Sequence, residues 1–266
     1  MPACACVESD GGALASPVVR DLNENPIEEI VLSRCLPASL RRGAACGAAL
    51  LALAVVPAVT LANDQPITEA EKSLFLADHF RSVSGAKVLH YTLRGSGTLD
   101  KAFDDAVEVE ISDLAGTRAL ETRCMTGSKK LELPPIENAK GNPALLCFLE
   151  RDVREMERIT GGKKWFFQKR IRLALADGPE VKPIKVNFAG KKIEAKEIRI
   201  SPYAKDPLRA RFDKYADKYY VFRLSDQVPG GILEIDAVIP DAAKPGGPKL
   251  VEDVMVFSRV EPSKKN

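Results

Sequence analysis

The chain has 266 residues, with 39 Lys and Arg against 37 Asp and Glu, a net charge of only +2. Its 45% hydrophobic and 29% charged residues are the balance of a globular protein and exclude a disordered chain, a collagen or a multispanning membrane protein. The near-neutral charge also excludes broad nucleic-acid binding, which needs a clear basic excess.

Residues 1–40 show no periodic pattern and read as an N-terminal extension or a misassigned start, with translation beginning nearer Val31 or Leu32. Residues 41–62 read as a signal peptide. Arg41 and Arg42 precede an uncharged run over 43–59, and Thr60-Leu61-Ala62 supplies the small residues of a cleavage site. The alternative is a membrane anchor, but a spanning helix wants about 20 apolar residues, and this run is shorter and contains Pro57. Export to the periplasm follows, leaving 63–266 as a single α+β domain. Cys124 and Cys147 then remain after Cys4, Cys6, Cys35 and Cys46 are removed. In an oxidising compartment they are expected to form one disulfide.

Thr68-Glu69-Ala70-Glu71 is a capping box that opens a first helix, expected to run to about Val83. Strands are predicted over 87–94, 106–112 and 118–125, with a short fourth over 128–132. The run 106–112 alternates strictly, with Val107, Val109 and Ile111 on one face and Glu108 and Glu110 on the other, as a half-buried strand requires. Asn142-Pro143 starts a helix to Thr160, apolar at three- and four-residue steps and stopped by Gly161-Gly162. A further helix spans 163–176. A hairpin over 183–200 turns at Ala189-Gly190. A polar connection over 201–214 leads to strands at 218–224, 232–239 and 250–260. Grouped strands and grouped helices predict an α+β fold: a curved, half-barrel-like antiparallel sheet of about eight strands, covered by an N-terminal helix and a central helix pair.

The chemistry-bearing residues are sparse. The two His, His79 and His90, lie in no motif with a nucleophile, no zinc-ligand cluster occurs, and there is no phosphate-binding loop. No catalytic residue, metal or cofactor is therefore assigned, and the protein reads as non-enzymatic. Glu150, Asp152, Glu155 and Glu157 interleave with Arg151, Arg154 and Arg158, the pattern of surface ion pairs on a helix. The candidate surface is the helix pair. Arg154, Arg158, Lys164 and Arg170 surround the adjacent aromatics Trp165, Phe166 and Phe167, which point about 100° apart on a helix and cannot all face one core. Tyr203, one of four Tyr between 203 and 220, is added as a groove-lining candidate.

Four segments carry a resemblance: 138–143 (NAKGNP), 148–156 (FLERDVREM), 200–203 (ISPY) and 225–231 (SDQVPGG). They resemble a family of exported proteins of Gram-negative bacteria, which implies no activity. The element order resembles the half-barrel of LolA-type periplasmic lipoprotein carriers, in which a curved sheet holds acyl chains under helices. Two functions are expected in turn. One is binding of a lipid, lipoprotein acyl chain or other apolar ligand in a groove of the curved sheet. The other is an interaction or assembly factor that docks a periplasmic protein partner through the basic-aromatic helix pair.

Overall fold

The computed structural model describes residues 66–99, 101–114 and 117–264. The extension, the signal segment and its cleavage site lie outside the described residues. Among the described residues, no helix is long and apolar enough to cross a membrane.

Among the described residues the sheet has ten strands. In chain order they are β1 (Lys87–Ser96), β2 (Phe103–Leu114), β3 (Thr117–Cys124), β4 (Leu131–Glu132), β5 (Ile136–Glu137), β6 (Val181–Phe188), β7 (Lys191–Ile200), β8 (Tyr219–Leu224), β9 (Ile232–Ile239) and β10 (Val251–Pro262). The spatial order is β4-β3-β2-β1-β10-β9-β8-β7-β6, with β5 also pairing β3. Every pairing is antiparallel. The chain winds outward from β1, crosses to the far edge through two helices, and returns inward until β10 closes against β1. Eight strands are long, as the alternation predicts, and the two extra ones have two residues each.

The alternation becomes a core because registered residues share a face. One row runs Cys124, Val107, Tyr91, Phe257 across β3, β2, β1 and β10. A second runs Leu93, Met255, Ile235, Phe222, Ile198 across β1, β10, β9, β8 and β7. All nine side chains are buried. The α2 helix (Ala144–Thr160) packs on β2, β3 and β9, and α3 (Lys164–Ala176) packs on α2 and β7. α2 turns Leu145, Phe148, Asp152 and Met156 inward at three- and four-residue steps, and α3 turns Phe167, Ile171 and Leu175 inward at four. The antiparallel, helix-covered α+β architecture is as expected.

The first helix is shorter than expected. α1 (Glu69–Glu71) carries the capping box, passes into a π-helical turn (Lys72–Leu76) and ends where Ala77 turns extended. His79 supplies the reason. Its Nε2 donates to the Ser73 carbonyl at 2.8 Å, and its Nδ1 accepts the Asn142 backbone N–H at 3.1 Å. A side chain thus satisfies a carbonyl that continued helix would have used. The expected fourth strand is also mostly turn. Met125 and Gly127 both have positive φ, which breaks the extended run before a 3-10 turn (Gly127–Lys129).

Asn142 caps α2 as expected, its Oδ1 accepting from the Ala144 N–H at 3.0 Å. Its Nδ2 also donates to the Tyr91 hydroxyl at 2.8 Å and the Gly230 carbonyl at 2.7 Å. Only glycine fits at 230. Its φ is +80°, and a Cβ there would lie 2.4 Å from Leu89. Cys124 and Cys147 form a disulfide with their Cα atoms 5.6 Å apart, fastening the end of β3 to α2.

Candidate functional site

The structure divides the predicted helix-pair surface. Phe167 and Tyr203 are fully buried, edge to face with ring centroids 5.8 Å apart, and Phe212 joins them. Both belong to the core and present no surface, which corrects their assignment as surface residues. Of three consecutive helical aromatics the one turned to the sheet is buried; Phe166 is half-buried against Phe212, and Trp165 is 63% exposed. Tyr203 and Phe212 also give the nominally polar connection 201–214 a hydrophobic anchor. Arg170 is held by the buried Asp206 at 2.7 Å and ties α3 to that connection. Arg154 pairs with Glu150 at 2.9 Å, Lys164 pairs with the same carboxylate, and Arg158 pairs with Glu155. Burial disfavours the charged form of Glu150, but hydrogen bonds from Lys164 and Arg154 outweigh it and hold its pKa below the ordinary value.

Asp152 is a second correction: it is no surface acid. It is fully buried, where one carboxylate oxygen accepts from Lys218 Nζ and the other from the Tyr220 hydroxyl. Tyr203 lies 3.4 Å from the Tyr220 hydroxyl. Burial first, then the Asp152 charge, raises the pKa of Tyr203 and Tyr220 well above the ordinary tyrosine value. The signal was present in the spacing, since Asp152 falls four residues from both Phe148 and Met156 on the buried face. None of these polar groups lines the clefts below, and each His is likewise engaged. The ring nitrogens of His90 face Glu108 and Glu261 at 3.2 and 3.3 Å.

Two adjoining clefts flank α2. An apolar groove of about 730 Å³ lies between α1 with its π-turn, α2, α3 and β4. Leu131, Leu149, Val153 and Ile171 contribute to its lining, and Phe75 and Leu146 stand beside it 37% and 44% exposed. A basic cleft of about 530 Å³ lies on the other side of Arg154. It is lined by Lys101, Lys129, Lys130, Arg151, Arg154 and Arg158, with Glu155 the one acid among the described lining residues. Phe103 lines it too, with Lys129 Nζ 3.6 Å from the ring centre and the Arg151 guanidinium 4.6 Å away. The two clefts share Leu131 and Arg154.

The two faces of the curved sheet differ in the room they offer a ligand. The helix-covered face is filled by fully buried rings, among them Tyr91, Phe148, Phe167, Tyr220 and Phe222. A wider cleft of about 1000 Å³ does lie against the sheet, between the β6–β7 turn and β10. Its wall carries an ion cluster in which Arg223 meets Glu234, Glu197 and Asp236. Burial and then Glu234 push the Asp236 carboxyl up to about 6. Among the described residues, no cluster of three or more His, Cys, Asp or Glu could hold a metal ion.

No protein-family model matches the chain, and no curated protein matches it. Among solved structures, it is similar to the lipoprotein LppX of Mycobacterium tuberculosis, with 11% identity and a TM-score of 0.30 over 68% of this chain and 91% of that one. It is also similar to a LolA superfamily protein from Nitrosomonas europaea, with 7% identity and a TM-score of 0.22 over 74% and 94%. Similarities this low carry no argument about ligand or mechanism.

Proposed function

We propose that the protein is an exported, non-enzymatic carrier that holds the acyl chain of a lipid in the apolar groove between α1, α2, α3 and β4. The observation that carries this reading is the groove itself: large apolar side chains left in water at its mouth, over an apolar floor. Its volume falls within the range of small-molecule sites. Each methylene buried contributes about 0.8 kcal/mol, so about ten methylenes give roughly 8 kcal/mol before the costs of association. The signal-like segment 41–62 supports delivery to the periplasm, where such a carrier would act.

The test is displacement of a fluorescent fatty acid from the purified protein and from Leu146→Glu. Leu146 is exposed, so the substitution is expected to leave folding within about 0.5 kcal/mol. The variant should bind the probe at least about tenfold more weakly, through loss of apolar contact and a carboxylate beside the chain. Equal binding by both proteins would refute the groove.

A second reading rests on Trp165, which is 63% exposed beside Lys164. An exposed Trp suits a hot spot for a docked protein. Trp165→Ala should then release a partner retained by the native chain, and retention of that partner would exclude it.

A further inference from the structure

We infer that the bound lipid carries an anionic, phosphate-type headgroup, seated in the basic cleft while its chain lies in the groove. This rests on the carrier reading above and adds the class of lipid. The first support is continuity. The two clefts share Leu131 and Arg154, so an amphiphile whose tail lies over Leu131 brings its head past Arg154 into the basic side.

The second support is charge. Six cations line the cleft. Four carboxylates balance them among the described residues: Glu155 with Arg158, Asp253 with Arg151, Glu150 with Arg154 and Glu132 with Lys130. Glu150 serves Lys164 as well as Arg154, so among the described residues cations exceed carboxylates here, and Lys101 and Lys129, both exposed, carry part of that excess. Lys129 rests over the Phe103 ring rather than on a carboxylate. A phosphodiester brings one negative charge and a phosphomonoester up to about two, and either reduces that excess. A zwitterionic head does not.

The third support is a switchable partner. Arg154 is exposed, and its i,i+4 pair with Glu150 is of the kind worth a few tenths of a kcal/mol. Glu150 also accepts from Lys164 and Gln168. Arg154 can therefore turn to a phosphate and leave Glu150 partnered. A bidentate guanidinium–phosphate contact is stronger than the pair it replaces.

The experiment is calorimetric titration of the purified chain with two short-chain lipids of equal acyl length, phosphatidylglycerol and phosphatidylcholine, and with inorganic phosphate alone. Phosphatidylglycerol should bind at least about tenfold more tightly than phosphatidylcholine, the ratio expected of one charge-assisted contact. The preference should shrink as salt is raised. Lys101→Glu with Lys129→Glu, both at exposed positions, should abolish the preference. Equal affinities in the native chain, or a preference that survives the double substitution, would overturn the headgroup assignment and leave the groove standing. Inorganic phosphate binding as tightly as phosphatidylglycerol would make the cleft a free-anion site and overturn it too. Binding of neither lipid would remove the carrier reading and this inference with it.

Discussion

Asp152 and Lys218 show what a single buried charge does in this chain. Each is nearly inaccessible, and Asp152 accepts from both Lys218 and Tyr220. Breaking a buried pair by removing one partner costs about 3–5 kcal/mol, whereas replacing both by apolar residues of similar volume is near neutral. Lys218→Met is therefore expected to lower the urea midpoint sharply, and Asp152→Leu with Lys218→Met to recover much of it. A double variant no more stable than the single would show that the packing, not the unpaired carboxylate, sets the loss. His79 makes a pH prediction. Burial is the largest cause of its lowered pKa, opposed by its bond to Ser73. The unfolded chain thus takes up a proton near 6.5 more readily than the folded one. Stability from this group is complete above about 6.5 and is lost as the pH falls toward the lowered folded value. Asp236, raised to about 6, works in the opposite sense and favours the folded state on acidification. Comparing the pH dependence of Tm in the native chain and in His79→Gln isolates the histidine: the variant should lose less stability on acidification. Parallel profiles would mean that His79 is not a titrating constraint.

Elements are held together by a few long-range fastenings. The disulfide joins residues 23 apart in sequence, β3 to α2. A loop of this size corresponds to about 3 kcal/mol in the chain-entropy view. Reduction should lower Tm without changing the far-ultraviolet spectrum at low temperature, because the sheet is registered by its own rows of side chains. An unchanged Tm would show that the helix is held by packing alone. Segments 138–143, 148–156, 200–203 and 225–231 meet in two such fastenings. The Asn142 amide reaches the Gly230 carbonyl, joining 138–143 to 225–231. Asp152 reaches Tyr220, and Tyr203 approaches the same hydroxyl, joining 148–156 to 200–203. Element existence was legible because each alternating or helical run has its own period. Element ends were less so: His79 replaces a turn of helix with a side-chain bond to Ser73 that no local pattern announces.

At the scale of the whole molecule, composition, alternation and the grouping of helices and strands were enough to read an antiparallel α+β sheet with covering helices. Cys124 and Cys147, the two cysteines after residue 62, were enough to suggest their bond. Those features depend on periods and counts that lie along the chain. The clefts do not. The apolar groove draws Phe75, Leu131, Leu146 and Ile171 from four separate elements, and the basic cleft adds Lys101 and Lys129 from turns far from α2 in sequence. Phe167 of 165–167 is buried against Tyr203 and Phe212, and Asp152, on the apolar face its spacing marks, is met there by Lys218 and Tyr220 from other elements. Sequence by itself determined the class of fold. Only the tertiary structure decided where apolar surface stays in water and where positive charge exceeds negative, because both are sums over residues that folding alone brings together.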